Sequence, residues 1–348
     1  MSDELRAFRR VVVTGGAGFI GSHFTRRLLA QRPDLDVTVL DKLTYAGNLA
    51  NLTDLAGNQR YHFIEGDIAD SQLVDDLAGT SDAFVNFAAE SHVDRSIEAA
   101  VAFAETGVVG TTTLLEAARR HGHKLFLQVG TDEVYGNRPS GSSEEQDPLR
   151  PRSPYSAAKA GADLMVLAYR DTYGLPVVVT RSSNNFGPFQ YPEKIVSLFI
   201  TNALDGQPLP IYGDGLQVRD WIYVEDNCAA IEQALFRGVE GTVYNIGGGH
   251  ELTNLDLTRA ILDEVGQPLS LMQLVEDRAG HDRRYSAETS RIRRLGWAPR
   301  HKFRDALRET VAWYRDNRTW WEPLKSGAYR EYYERQYAQR LAAARPAE

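Results

Sequence analysis

The sequence predicts an α/β protein, a doubly wound parallel sheet carrying a smaller C-terminal α+β cap. Three features predict it. Over the first 130 residues, short branched-apolar runs alternate with helical patterns, the rhythm of parallel βαβ units. The first of those runs enters a glycine-rich turn and then a helix. From about residue 184 the texture changes to irregular stretches bearing Pro, Gly and Asn, mixed with short helices.

The strands follow in order: VVVT from residue 11, VTVLD from 37, YHFIEGD from 61, AFVNFAA from 83 and LFLQV from 125. Between them lie helical patterns such as 21 to 31 and 108 to 121. Right-handed crossovers place such helices on both faces of a parallel sheet. The loop "NRPSGSSEEQDPLRPRSP" then leads into a helix beginning near Tyr155, and VVVTR from 177 reads as a sixth strand. Helices over 193 to 204, 225 to 237 and 255 to 265 are expected in a cap over the carboxyl edge of the sheet. The boundaries read from this are 1–183 for the sheet domain and 184–348 for the cap, with some cap segments returning to the first domain. The tail "TWWEPLKSGAYREYYERQYAQR" is expected to be a helix whose aromatics pack on the protein rather than on bases.

Composition excludes several classes. A formal net charge of -8 argues against non-specific attraction to nucleic acid or an anionic membrane. An anionic ligand must then be captured by local cations. One cysteine, Cys228, cannot form an intrachain disulfide and reads as a small core residue of the "VEDNCAAIEQAL" helix. There is no membrane-length apolar run or signal-type segment, so the chain is expected in the cytoplasm. The eight histidines show no paired metal spacing, and no metal is expected.

The turn after the first strand is "TGGAGFIGS", with Gly15, Gly18 and Gly21 at GxxGxxG spacing. Glycines there let the amides at the helix start approach a pyrophosphate, as in Rossmann-type dinucleotide sites. Asp41 ends the second strand, where a carboxylate accepts bonds from an adenosine ribose and repels a 2′-phosphate. NAD is therefore the expected cofactor, with Lys42 beside Asp41 weakening the exclusion of NADP. In "YSAAK", Tyr155 and Lys159 are i and i+4 on one helix face, so an ammonium lies beside a phenol. A tyrosine base near neutral pH needs that lysine and a positive nicotinamide.

At the end of the fifth strand "VGTDEVYG" sets Thr131, Asp132 and Glu133 side by side. On a regular strand the two carboxyl groups would face opposite ways, yet a chain leaving the sheet can turn both into one cleft. Burial and mutual repulsion can then keep one protonated and the other ionised, giving an acid and a base. Such a pair can eliminate water across two adjacent carbons.

The glycine turn, Thr131 and YxxxK together resemble the extended short-chain dehydrogenase/reductase family. Within it, "TDEVYG", "AAESHVDRS", "SNNFGPFQYPEK", "YGDGLQVRDWIYVED", "YNIGG", "TNL" and "EDRAGHDRRY" are similar, in order and over nearly the whole chain, to the dTDP-glucose 4,6-dehydratase family. The resemblance implies dehydration of dTDP-glucose to its 4-keto-6-deoxy product. In that scheme Tyr155 deprotonates the C4 hydroxyl while hydride passes to NAD, and Thr131 holds the C4 oxygen. Glu133 removes the C5 proton, Asp132 protonates the departing C6 hydroxyl, and hydride returns to C6. It also implies a cofactor lining of Phe19, Ile20, Asp41, Lys42, Leu43, Thr44, Asp67, Ile68, Ala88, Ala89, Thr106 and Asn185, besides the three glycines, Tyr155 and Lys159. The nucleotide-sugar side would be Ser91, Asn184, Lys194, Ile195, Pro210, Ile211, Tyr212, Arg219 and Asn254. Asp277, Arg278, Ala279, Gly280 and His281 would complete it.

Arg219, Arg278 and Lys194 would supply the cations that the acidic balance demands. Asp94 and Arg95 of "AAESHVDRS" are read at a substrate edge rather than as a structural pair. The resemblance further implies a homodimer through the helices at 105 to 121 and 155 to 172, where Gly110, Ala117, Ala158, Gly161 and Leu164 permit close packing. Two departures from the family pattern are Gly130, where Ser is usual, and Gly107, where Asn is usual. The rivals are a UDP-sugar 4,6-dehydratase or an NAD-dependent epimerase, and a sugar-nucleotide-binding regulator without turnover.

Overall fold

The computed structural model describes residues 5–347. The strands are β1 (Arg10–Thr14), β2 (Asp36–Asp41), β3 (Tyr61–Glu65), β4 (Ala83–Asn86), β5 (Leu125–Thr131), β6 (Val177–Ser182), β7 (Asn184–Phe186), β8 (Leu209–Tyr212), β9 (Val218–Tyr223), β10 (Thr242–Ile246), β11 (Glu251–Thr253), β12 (Met272–Val275) and β13 (Arg345–Pro346). The main sheet is seven-stranded in the order β10-β6-β5-β4-β1-β2-β3, and every pairing in it is parallel. It is the expected doubly wound, Rossmann-like α/β fold. β4, β5 and β6 are buried along their whole length, as strands covered on both faces must be.

All six strands read from the sequence are present, and the helices run Phe19–Gln31, Thr111–Arg120 and Pro154–Tyr173. One face of the sheet packs on Phe19–Gln31, burying Phe24 and Leu28 with Val11, Val13 and Val37. The opposite face packs Leu114, Leu115 and Val166 on Phe84 and Phe126. The Pro154–Tyr173 helix starts on a capping box between Ser153 and Ser156, with Pro154 at its first turn. That fixes the register of Tyr155 and Lys159.

One expectation is corrected. Helix Val224–Arg237, assigned by its texture to the cap, packs in the sheet domain with Cys228, Ile231 and Leu235 in the same cluster as Phe24 and Leu28. β10 follows it and adds the seventh strand beside β6. Cys228 is buried, donates toward the Ile20 carbonyl oxygen at 3.6 Å, and burial pushes its thiol up. It is a core residue.

The cap holds two three-stranded sheets, β11-β9-β7 and β13-β12-β8. Its core joins helices Ile195–Leu204, Asn254–Val265 and Phe303–Asp316 through Phe199, Leu257, Ile261 and Leu307. The tail is helical over Ala328–Ala342, with Tyr329, Tyr332 and Tyr337 buried against the protein. Among the described residues no helix is long and apolar enough to cross a membrane.

The stretch read as one helix from 108 starts with a π-turn over Glu105–Gly110, an irregularity often found at functional sites. Gly107 lies in it, and a Cβ there would sit 3.2 Å from the Ala158 methyl. Gly107 therefore allows the π-turn to seat closely on the Tyr155 helix. Gly110 likewise meets Ile68, and Gly161 meets Val108. The small residues expected at a subunit boundary thus pack inside the chain, with Ala117 and Ala158 also buried. Of the five only Leu164 is exposed, and Val101 and Val109 are exposed on the helices beside it.

Candidate active site

Beyond the carboxyl ends of the central strands lies one cleft of about 280 Å³, the position where open α/β sheets take ligands. At one end the glycine turn makes a cradle. Gly15 has φ +68°, and a Cβ on it would lie 2.7 Å from the Ala88 amide nitrogen. One on Gly21 would collide with the Gly15 carbonyl oxygen. Helix Phe19–Gln31 begins at Gly18 with no side-chain cap, leaving its first amides to a ligand. Phe19, Ile20, Thr44, Ile68, Ala88, Ala89, Thr106 and Asn185 line the same cleft.

Asp41 is nearly buried and accepts from the Ala17 and Leu43 amides, both at 2.9 Å. Burial raises its pKa and those two amides oppose the rise. Each oxygen keeps lone-pair capacity for a ribose hydroxyl. Lys42, the residue that weakened discrimination against a 2′-phosphate, pairs with Asp67 at 2.6 Å. Its positive charge is already countered. These residues fit NAD. Leu43 lies outside the cleft lining, at φ 52°, where its amide is spent on Asp41.

At the other end β5 stops at Thr131 and a 3-10 turn takes over at Asp132–Tyr135. The Thr131 hydroxyl accepts from the Glu133 amide at 3.3 Å, Arg150 donates to the Val134 carbonyl at 2.9 Å, and the Tyr135 hydroxyl donates to Asn245 at 2.7 Å. The turn abolishes strand alternation. Asp132 and Glu133 both line the cleft with Thr131, Tyr155 and Lys159.

Asp132 is almost fully buried, and its Oδ2 has no hydrogen-bond partner. Burial drives its pKa well up, Glu133 and Asp220 add to the rise, and Arg219 opposes it. Burial thus favours its neutral, acid form. Burial and then Glu133 also raise the Tyr155 phenol, against hydrogen bonding with Thr131. Lys159 donates to the Val129 carbonyl oxygen at 2.6 Å; burial lowers its pKa and Asp163 opposes the fall. Its ammonium is thus anchored to β5. Gly130 has a close neighbourhood: a Cβ there would meet the Thr180 carbonyl oxygen at 2.8 Å and Asp163 at 3.0 Å.

The expected nucleotide-sugar residues divide. Ser91, Asn184 and Lys194 line the cleft, and Lys194 donates to the Ser91 carbonyl oxygen. Ile195, Pro210, Ile211, Tyr212, Arg219, Asn254, Asp277, Arg278, Ala279, Gly280 and His281 lie outside its lining. Ile211 is buried in the cap core with Ile195 packed beside it, so packing explains both side chains. Pro210 is paired with Gln273 in the β8–β12 ladder. Asn254 begins a helix and leans on Gln217.

The remainder gathers around Asp94. It accepts from Arg278 at 3.1 Å and from the Tyr212 hydroxyl at 2.9 Å, while Asp277 accepts from His281 at 2.6 Å. Ala279 and Gly280 form the exposed bend between them, with Gly280 at φ +67°. Arg219 gives its guanidinium to the Val218 and Asp282 carbonyls and stacks over Tyr285 at 4.2 Å. Arg219, Arg278 and Lys194 each feel the charge of Glu133. Asp94 and Arg95 do not pair with each other: Arg95 donates to Glu193 at 3.0 Å.

Sequence reading missed several lining residues. Glu90, Ser183, Gln190, Tyr191 and Glu193 also face the cleft. Ser183 Oγ and Gln190 Oε1 are buried without partners, as are the side-chain carbonyl oxygens of Asn184 and Asn185. Buried polar atoms of this kind carry a cost of about 1–3 kcal/mol each unless a ligand or water meets them. Glu193 lies in "SNNFGPFQYPEK" beside Lys194, and for an anionic ligand the cation is the stronger sequence signal.

Residues 12–310 match the family model described as GDP-mannose 4,6 dehydratase. A dTDP-glucose 4,6-dehydratase of Streptomyces niveus is 54% identical over 322 residues, covering 91% of this chain and 96% of that protein. The chain belongs to the dTDP-glucose 4,6-dehydratase family. Another member, the crystal structure of DesIV (dTDP-glucose 4,6-dehydratase) from Streptomyces venezuelae with NAD and TYD bound, is similar with a TM-score of 0.89 and 54% identity, covering 91% of this chain and 100% of that one. A UDP-glucose 4-epimerase of Thermus thermophilus in complex with NAD has a TM-score of 0.82 at 32% identity, over 88% of this chain and 99% of that one. The fold is therefore shared with an epimerase.

Proposed function

We propose that the protein is an NAD-dependent lyase that dehydrates dTDP-glucose to dTDP-4-keto-6-deoxyglucose. The observation that carries this reading is the turn at Asp132–Tyr135, which brings a buried carboxyl and a second carboxyl group into one cleft with Tyr155. The glycine cradle and Asp41 would hold NAD, which would supply the hydride acceptor for C4 oxidation and the hydride donor for C6. Tyr155 takes the C4 hydroxyl proton, with Thr131 holding the C4 oxygen and Lys159 stabilising the phenolate. Glu133 takes the C5 proton and gives a proton back to C5 as hydride reaches C6. Asp132, kept protonated by burial, delivers its proton to the departing C6 hydroxyl. Elimination needs an acid and a base on adjacent carbons, whereas epimerisation at C4 needs neither, so the pair favours a dehydratase over an epimerase.

Lys194, Arg219 and Arg278 are assigned to the diphosphate, where guanidinium forks suit phosphate oxygens. For the last of these, binding exchanges the Asp94 bond for phosphate. Incubation with a panel of nucleotide sugars, read by mass, tests the reading. With dTDP-glucose the product should lose one water and exceed the yield from UDP-glucose. Unchanged mass with an inverted centre would make the protein an epimerase, and unchanged sugar throughout would make it a binding protein.

A homodimer through the helices at 105 to 121 and 155 to 172 is part of the same proposal, supported by exposed Val109 and Leu164 on them and by exposed Val101 on the preceding turn. Apolar side chains so grouped mark an association surface. Light scattering at micromolar concentration should give twice the chain mass, and Leu164→Arg should reduce it to one. A monomeric parent protein would end that part of the proposal.

A further inference from the structure

The cycle proposed above leaves the cofactor unchanged, so cofactor exchange is not required between turnovers. The cleft has a corresponding roof. Residues 42–47 follow β2 in the sheet domain, residues 188–194 precede helix Ile195–Leu204 in the cap, and both segments line the cofactor cleft. Between them the Tyr45 hydroxyl donates to Glu193 at 2.9 Å. The other Glu193 oxygen accepts from Arg95 at 3.0 Å, and this carboxylate is almost fully buried. The Arg95 guanidinium lies between the Tyr45 ring at 4.0 Å and the Tyr332 ring at 4.2 Å.

The opposite flank of the roof is also tied down. His23 on the cofactor helix bonds the Pro188 carbonyl oxygen at 3.0 Å, and Arg26 stacks over Phe189 at 4.6 Å. Segment 188–194 thus spans the cleft with attachments to the sheet domain on both sides. We propose that Tyr45, Glu193 and Arg95 form a clasp that retains NAD as a resident group, and that they are positioning residues for the cofactor rather than catalytic ones. This rests on the reading of NAD as the cofactor. The geometry supplies the reason for three different residue types. Glu193 needs two donors from outside its own segment, Tyr45 gives one from the adenosine side, and Arg95 gives a charge-assisted one whose cation is sheltered by two rings. Burial and the charge of Glu193 both raise the Tyr45 phenol, so it stays a donor at neutral pH.

The test is the release of NAD from purified holoenzyme, followed by exchange of bound cofactor against labelled NAD without substrate. Tyr45→Phe keeps the ring beneath Arg95 and loses only the hydroxyl. It should release NAD about tenfold faster than the parent while staying folded by circular dichroism, the loss expected for one hydrogen bond to a charged group. Glu193→Gln should release it faster still, because Arg95 loses its counter-charge. After dialysis the Tyr45→Phe protein should lose turnover that added NAD restores, which a merely structural defect would not allow. Parental release rates in Tyr45→Phe, with NAD retained by the parent, would overturn the clasp while leaving the cofactor reading intact. A parent protein that binds no NAD would overturn both.

Discussion

Glu133→Gln should oxidise C4 at close to the parental rate yet dehydrate about 10²- to 10⁴-fold more slowly, the usual contribution of a positioned general base. A rapid-quench mass spectrum would then catch a 4-keto sugar that still carries its C6 hydroxyl. The expectation follows from the division of labour along one turn of chain: Tyr155 and Thr131 address C4, while Glu133 addresses C5. Asp132→Asn should show a similar defect for a different reason. Its amide matches the neutral carboxyl in shape and burial but cannot part with a proton to the departing hydroxyl. Because burial already disfavours the charged form of Asp132, the asparagine should not destabilise the fold. If both variants eliminate water as fast as the parent in a single turnover, the acid and base roles assigned here are wrong.

Tyr155→Phe should be the more severe change, since it stops the first step and with it everything downstream. A loss of about 10³-fold in C4 oxidation is expected, within the range for removing a general base. The ring remains to pack edge-on against Phe103, whose centroid is 6.3 Å away, so the melting temperature should hold. The pH dependence has a definite sign. Burial and Glu133 raise the phenol pKa, so the ionised form grows as pH rises and oxidation should accelerate with it. Lys159→Met removes the nearby cation that favours phenolate and should move that rise to higher pH. A Tyr155→Phe enzyme with parental oxidation would assign the proton transfer to another group.

Much of this was legible in the sequence because its signals are local. Six strands of the main sheet, the glycine turn and the Tyr155–Lys159 spacing each depend on residues within one element and its neighbours. β10 was harder, because five residues of strand after a helix carry no sign of which sheet they join. Pairing with β6 across more than sixty positions decides it. The turn at Asp132 could be posed as a question but not answered, since its direction is fixed by Arg150 and Asn245 from distant segments. Side-chain pairing was the least legible. Arg278 and Tyr212 were expected to face a ligand, and their shared partner Asp94 lies more than a hundred residues away from either. Glu193 shows the same limit: its two donors, Tyr45 and Arg95, come from separate crossovers.

The return of helix Val224–Arg237 and β10 to the sheet also constrains how such proteins can be recombined. A single crossover after residue 183 would give one parent's cap together with that parent's outer strand and a helix of the opposing half. Those pieces would have to mate with a foreign sheet at Phe24, Leu28 and β6. Grafting a new sugar specificity onto this cofactor half therefore calls for splicing at several junctions that leave residues 224–246 with their native neighbours.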